Sequence, residues 1–209
     1  MDVAFILYDQ MTALDIIGPY EVLAGHPQVR PYFVAAQAGG VRCDNGLTLQ
    51  ADVGFDEMPQ PELIVVPGSS RWHRALENET LIAWLAATCP TAGCTTVSVC
   101  SGSTLLAKAG ILAGRPATTH WAVRDVLAAY GAIVSAERVV IDKDVITCAG
   151  VSAGIDMALT LAARLWGEPT AKVIQLSLEY DPQPPFDSGS PDKAAPETIA
   201  AARTLLTGV

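Results

Sequence analysis

With 209 residues, half of them hydrophobic and 17% charged, the chain has the length and apolar content of one domain with a substantial core. A formal net charge of -9 sets its surface against phosphate backbones and disfavours stand-alone nucleic-acid binding. No apolar run approaches the ~20 residues that cross a bilayer, and the Met1-Asp2 opening lacks the basic region of a secretory signal. Five cysteines form no CxxC pair and the three histidines are scattered, so neither a metal site nor a disulfide framework is expected. A reducing, cytoplasmic setting fits.

In chain order, "VAFILY" (3–8) predicts a short buried strand and "YFVAAQ" (32–37) another. Between them "TALDIIGPYEVLAG" (12–25) has helical spacing interrupted at Gly18-Pro19, which predicts two short pieces or a kink. "VRCDNGLTLQADV" (41–53) alternates around Asn45-Gly46, the pattern of a hairpin with a type I′ turn. "ELIVVPGSS" (62–70) predicts a parallel strand leaving the sheet at Pro-Gly, and "NETLIAWLAATC" (78–89) a helix capped by Asn78. "CTTVSVC" (94–100) predicts the next strand, with "SGSTLLAKAGILAG" as the helix after it.

Further along, "WAVRDVLAAYG" (121–131) predicts a helix stopped by Gly131, and "RVVIDKDVITCAG" (138–150) two strands about a polar turn. "SAGIDMALTLAARLWG" (152–167) and "PTAKVIQLSLEY" (169–180) predict two more helices, the second opening on proline. Residues 181–209 begin with a proline-rich stretch and read as a C-terminal extension, mobile or ordered by packing. Strands that are apolar on both faces and alternate with helices define the class. It is α/β, with a mostly parallel central sheet, helices on both faces and small hairpin additions.

Cys100 stands out because it ends a strand and precedes a glycine-studded helix start, with small Ser101, Gly102 and Ser103 around it. That is the pattern of a nucleophile elbow at the ligand-binding end of a parallel sheet. A helix N-terminus beside the sulfur is expected to lower the thiol pKa and enrich the thiolate. Cys43, Cys89, Cys94 and Cys148 lack this setting and read as filler. Asp15, set among Leu14, Ile16 and Ile17, is costly to bury without a purpose. Thr12-x-x-Asp15 also fits a capping box, so a structural and a chemical role both stand at this point.

The segments "LDIIGPYEVL", "PGSS", "SVCSGSTLLAKAGILAGRPATTHW", "GVSAGIDMALTLAA" and "LEYDPQPPFDSGSP" together resemble the ThiJ/PfpI superfamily, and within it the isonitrile hydratase branch. The resemblance runs from Val3 to about Asp192. It implies a flavodoxin-like three-layer sandwich, Cys100 as nucleophile, Asp15 as acidic partner, Ser101 as a hydroxyl beside the cysteine, and a homodimer. The implied substrates are an isocyanide and water, with no cofactor and no metal.

Two departures stand out. Ser101 replaces the threonine of those hydratases, and Ser69 replaces the second glycine of a Pro-Gly-Gly that would lend amides to an anion pocket with Gly68. The histidine that follows the cysteine in peptidase-like members is absent. His120 in "TTHW" is expected to be an ordinary hydrogen-bonded histidine, and His26 and His73 surface residues. Trp72, Trp121 and Phe186 are candidate pocket walls beside His120. The alternatives using the same cysteine are a glyoxalase-type α-oxoaldehyde hydratase and a non-enzymatic redox or ligand sensor. An AraC-type regulator is disfavoured because Val209 is reached with no helix-turn-helix.

Overall fold

The computed structural model describes residues 1–58 and 60–207. Its strands are β1 (Asp2–Ile6), β2 (Arg30–Ala35), β3 (Gly39–Arg42), β4 (Thr48–Ala51), β5 (Val53–Gly54), β6 (Leu63–Val66), β7 (Thr95–Ser98), β8 (Pro116–Ala117), β9 (Ile133–Val134), β10 (Val139–Asp142) and β11 (Val145–Cys148). The helices are α1 (Ala13–Leu23), α2 (Trp72–Ala75), α3 (Glu79–Thr88), α4 (Gly102–Lys108), α5 (Arg124–Ala129), α6 (Ala153–Trp166), α7 (Glu168–Ser177) and α8 (Pro196–Thr207). A 3-10 turn, Trp121–Val123, leads into α5.

Seven strands form the central sheet in the order β10-β11-β7-β6-β1-β2-β5. Every pair is parallel except the edge pair β10–β11. Strands β6 and β11 are buried along their whole length, as branched residues covered on both faces must be. The crossover from β1 to β2 runs one way across the sheet and that from β6 to β7 the other. Because such crossovers are right-handed, their helices lie on opposite faces. Helix α1 packs with α6 in one layer, and α3 packs with α4 in the other. This is the expected sandwich.

Two local expectations are corrected. First, α1 is one unbroken helix with Pro19 inside it. Proline deletes a helical N–H and costs stability, but Gly18-Pro19 is where α1 lies closest to α6. A Cβ on Gly18 would stand 3.1 Å from Ile155, and one on Gly154 3.3 Å from the Pro19 ring. Close packing outweighs local preference there. Second, β3 and β4 do form an antiparallel pair, with Arg42 opposite Thr48. Their turn is not type I′, since of Asn45 and Gly46 only Gly46 has positive φ (90°). Gly46 N donates to Cys43 O (3.0 Å) and Cys43 N to Leu47 O (2.7 Å), which closes a longer loop. The C-terminal extension contains regular structure. It ends in α8, twelve residues long.

Candidate active site

The strand order β7-β6-β1 sets three carboxyl ends side by side, at the point where the chain reverses its direction across the sheet. Open α/β sheets bind ligands at this place. Cys100 follows β7, Gly68 follows β6, and Asp15 lies in the first turn of α1 after β1. Cys100 has φ 59°, a left-handed conformation that a side chain of this kind adopts only when its surroundings impose it. The imposing contacts are visible. Cys100 N donates to Ala149 O (3.1 Å), and the Thr119 and Ser103 hydroxyls donate to Cys100 O (3.0 and 3.3 Å). A Cβ on Gly68 would sit 2.5 Å from Ser101 N, so the β6 exit and the elbow touch backbone to backbone. The sharp turn expected at Cys100 is present.

Asp15 is fully buried. Its Oδ2 accepts the Gly68 amide at 2.8 Å, across 53 residues of sequence. The capping-box reading therefore fails: Thr12, the N-cap, makes no side-chain cap, and its hydroxyl donates to Asp44 Oδ2 (2.7 Å). Burial pushes the Asp15 carboxyl up to about 7, raised further by Asp44 and opposed by the Gly68 amide and a weaker interaction with the Cys100 thiol. That thiol contact falls short of a formed bond, since Oδ1 has no hydrogen-bond partner.

The electrostatics at sulfur correct a second expectation. Burial raises the Cys100 thiol well above its usual range, and the neighbouring Asp15 charge adds to this. The amides of Val151 and Ser101 donate toward the sulfur and pull the other way without prevailing. Cys100 at rest is a neutral thiol beside a carboxyl group that titrates near neutrality, and their titration belongs to the pair. Val151, missed in the sequence, has φ 36°, which is unusual for a branched residue. No local pattern marks it.

A cavity of about 60 Å³ opens at Cys100, with Ser101, Ser69, Trp72, His120 and Val151 among its walls. One probe-sized group needs about 10–15 Å³, so a slim substrate of a few heavy atoms fits. His120 is neutral, its pKa lowered by burial and by Arg124, and its Nδ1 accepts the Ala122 amide at 3.3 Å. Four site expectations meet the geometry differently. The Gly68 amide serves Asp15, and the Ser69 amide donates to Ser101 Oγ (2.9 Å), so neither is a free donor facing the sulfur. Ser101 Oγ in turn donates to Ser69 O (3.1 Å), tying the elbow to the β6 exit. Trp121 lines adjoining cavities and lies under Arg203, not against the sulfur. Phe186 is 77% exposed and walls nothing here. Among the lining residues that the sequence did not suggest are Thr12 from the N-cap of α1 and Leu206 from α8.

All five cysteines are free thiols, and no group of three or more His, Cys, Asp or Glu among the described residues is arranged to hold a metal. No helix among them is long and apolar enough to cross a membrane.

A parallel α/β sandwich with a strained cysteine elbow and a buried acid at the sheet's reversal point defines a class of cysteine-centred proteins. Residues 1–164 match the DJ-1/PfpI family, and the chain belongs to it. It is 42% identical over 203 residues to the isonitrile hydratase of Pseudomonas putida, covering 97% of this chain and 89% of that one. The regulator CdhR of Pseudomonas aeruginosa, described as an HTH-type transcriptional regulator, is 32% identical over 153 residues, 72% of this chain but 44% of the regulator. The crystal structure of a ThiJ/PfpI family protein from Pseudomonas syringae superposes with a TM-score of 0.93 at 34% identity, covering 100% of this chain and 90% of that one.

Proposed function

We propose that the protein hydrates an organic isocyanide to an N-substituted formamide through a thioimidate on Cys100, with Asp15 as the proton carrier. The observation that carries this reading is the isolated pair itself. One thiol lines a slim cavity and has a fully buried, high-pKa carboxyl as its neighbour, in a chain with a hydratase relative at 42% identity.

The chemistry needs little more. Adding S–H across the terminal carbon of R–N≡C forms one S–C bond and one C–H bond, giving R–N=CH–S–Cys100. Asp15 takes the thiol proton as sulfur attacks and returns it to that same carbon. Water then adds to the C=N bond, with Asp15 as base and the proton moving to nitrogen. Collapse of R–NH–CH(OH)–S–Cys100 releases R–NH–CHO and restores the thiol. A carboxyl group titrating near 7 is matched to both directions of transfer. Ser101, with its hydroxyl held by the Ser69 backbone, is a positioning residue that fixes the elbow.

The occupied amides discriminate among the alternatives. An α-oxoaldehyde develops negative charge on a carbonyl oxygen at the first step and calls for free donors there. The Gly68 and Ser69 amides are already bonded. An isocyanide has no oxygen until water adds, so that demand is absent from its first step. A redox sensor calls for an accessible, low-pKa thiol, whereas Cys100 is 6% exposed with its pKa raised.

The test incubates purified protein with alkyl and aryl isocyanides and follows loss of the isocyanide stretch together with formamide by mass spectrometry. Turnover by wild type and none by Cys100→Ala is expected. Lactate from methylglyoxal without any isocyanide turnover moves the assignment to the glyoxalase type. A homodimer and a cytoplasmic location accompany the hydratase likeness, and light scattering in solution checks the first.

A further inference from the structure

We propose that α8 sets substrate size at the Cys100 cavity, with Leu206 as the residue that selects. This rests on the hydratase reading and names the part of the chain that tunes it. Among the described lining residues, all but Leu206 lie between Thr12 and Val151, inside the stretch matched by the DJ-1/PfpI family. The wall that comes from outside the shared domain is a single half-buried leucine in the last turn of α8.

Leu206 also borders a second cavity of about 330 Å³, which includes Asp44, Ser70, Arg71, His73 and Arg74. Leu206 and Ser70 belong to both cavities and so form the partition between them. The catalytic side is mostly apolar and small, and the far side is polar and roomy. A substrate tail longer than the small cavity accepts must displace this partition. Removing the leucine side chain joins the two spaces.

The seating of α8 suits a yielding wall. Arg203 lies over the Trp121 ring at 4.9 Å, a cation–π contact at the surface. Beneath it, Trp121, Ile199 and Ala202 border a void of about 80 Å³. Leu205 is 82% exposed, so α8 contributes little apolar burial at that turn. Segments with imperfect packing and exposed faces are displaced at the lowest free-energy cost. Trp121, assigned to the pocket by sequence reasoning, holds the helix that bounds it.

The experiment compares wild type, Leu206→Ala and Leu206→Trp with a slim and a bulky isocyanide, and separately measures Cys100 alkylation by iodoacetamide and by a bulky maleimide. Cys100→Ala supplies the background. Leu206→Ala is expected to raise the bulky-to-slim ratio of kcat/KM about tenfold or more, the scale at which apolar pockets discriminate by size, and Leu206→Trp to lower it. The maleimide-to-iodoacetamide rate ratio is expected to move in the same directions. If neither ratio moves in either variant, α8 is a bystander and the proposal falls. If the alkylation ratio moves while wild type turns over no isocyanide, the wall stands and the hydratase reading falls.

Discussion

The two halves of the catalytic cavity are built in opposite ways. On the sheet side, Cys100 and Ser101 line the cavity and Asp15 and Gly68 are buried next to them, every one fixed by backbone contacts from a neighbouring strand end. On the α8 side, the wall is a leucine from a largely exposed helix whose Arg203 lies over the Trp121 ring. A reacting pair tolerates displacements of only a fraction of an ångström, so it is placed where the fold over-determines position. A size filter needs only bulk at a given distance, and a peripheral helix supplies that. Chemistry and selectivity are thus separable in this chain.

The comparison predicts large effects on the sheet side and small ones on the rim. Cys100→Ala is expected to abolish turnover and the substrate-plus-enzyme mass seen in single-turnover spectra. Residual activity at the wild-type level would remove the thioimidate. Asp15→Asn is expected to cost about 10²–10⁴-fold in kcat, in a protein that is more stable than wild type at pH 8.

The sign of that stability change follows from the raised carboxyl. With a folded value of about 7 against 3.8 ordinarily, the native state holds the Asp15 proton more tightly than the unfolded chain does. Wild type therefore gains stability as pH falls from 7 to 3.8 and carries the full cost of a buried charge above 7. Asparagine carries no such cost. The gap, up to about 4 kcal/mol at pH 8, is expected to close as the pH falls toward 3.8, and denaturant titrations across that range measure it. A gap independent of pH would mean that Asp15 is not the titrating group. In wild type, kcat/KM is expected to rise through a limb near pH 7, as the pair reaches its single-proton state.

Ser101→Ala comes next. It leaves the buried Ser69 amide unpaired, which costs about 1–3 kcal/mol, and lets the elbow shift. Ser101→Thr keeps the hydroxyl and is expected to recover both stability and rate. The smallest effect belongs to the rim: Leu205→Gln, at an 82% exposed position, is expected to change stability by no more than about 0.5 kcal/mol. A larger loss would mean that α8 is anchored more firmly than its exposure implies.

Much of this was legible in order along the chain. Branched runs such as Leu63–Val66, Asn78 as the cap of α3, and the small residues after Cys100 announce sheet, helix start and elbow, because each depends on neighbours a few positions away. The Asn45-Gly46 turn and the continuity of α1 through Pro19 depart from their local patterns for the converse reason: loop closure and the α1–α6 contact settle them from afar. The thiol's state departs from its local pattern too. A helix start is visible in sequence, whereas the degree of burial that overrides it is not.

By itself the sequence determined the layered α/β class, the sharp turn at Cys100 and the suspicion attached to Asp15. Those follow from periodicity, steric size and the cost of placing a charge among aliphatic neighbours. Only the tertiary structure decided that the Asp15 carboxyl takes the Gly68 amide, that Val151 aims its N–H at the sulfur, and that Leu206 lines the cavity. Each of these joins segments tens of residues apart, and strand order, which no local pattern encodes, brings them together.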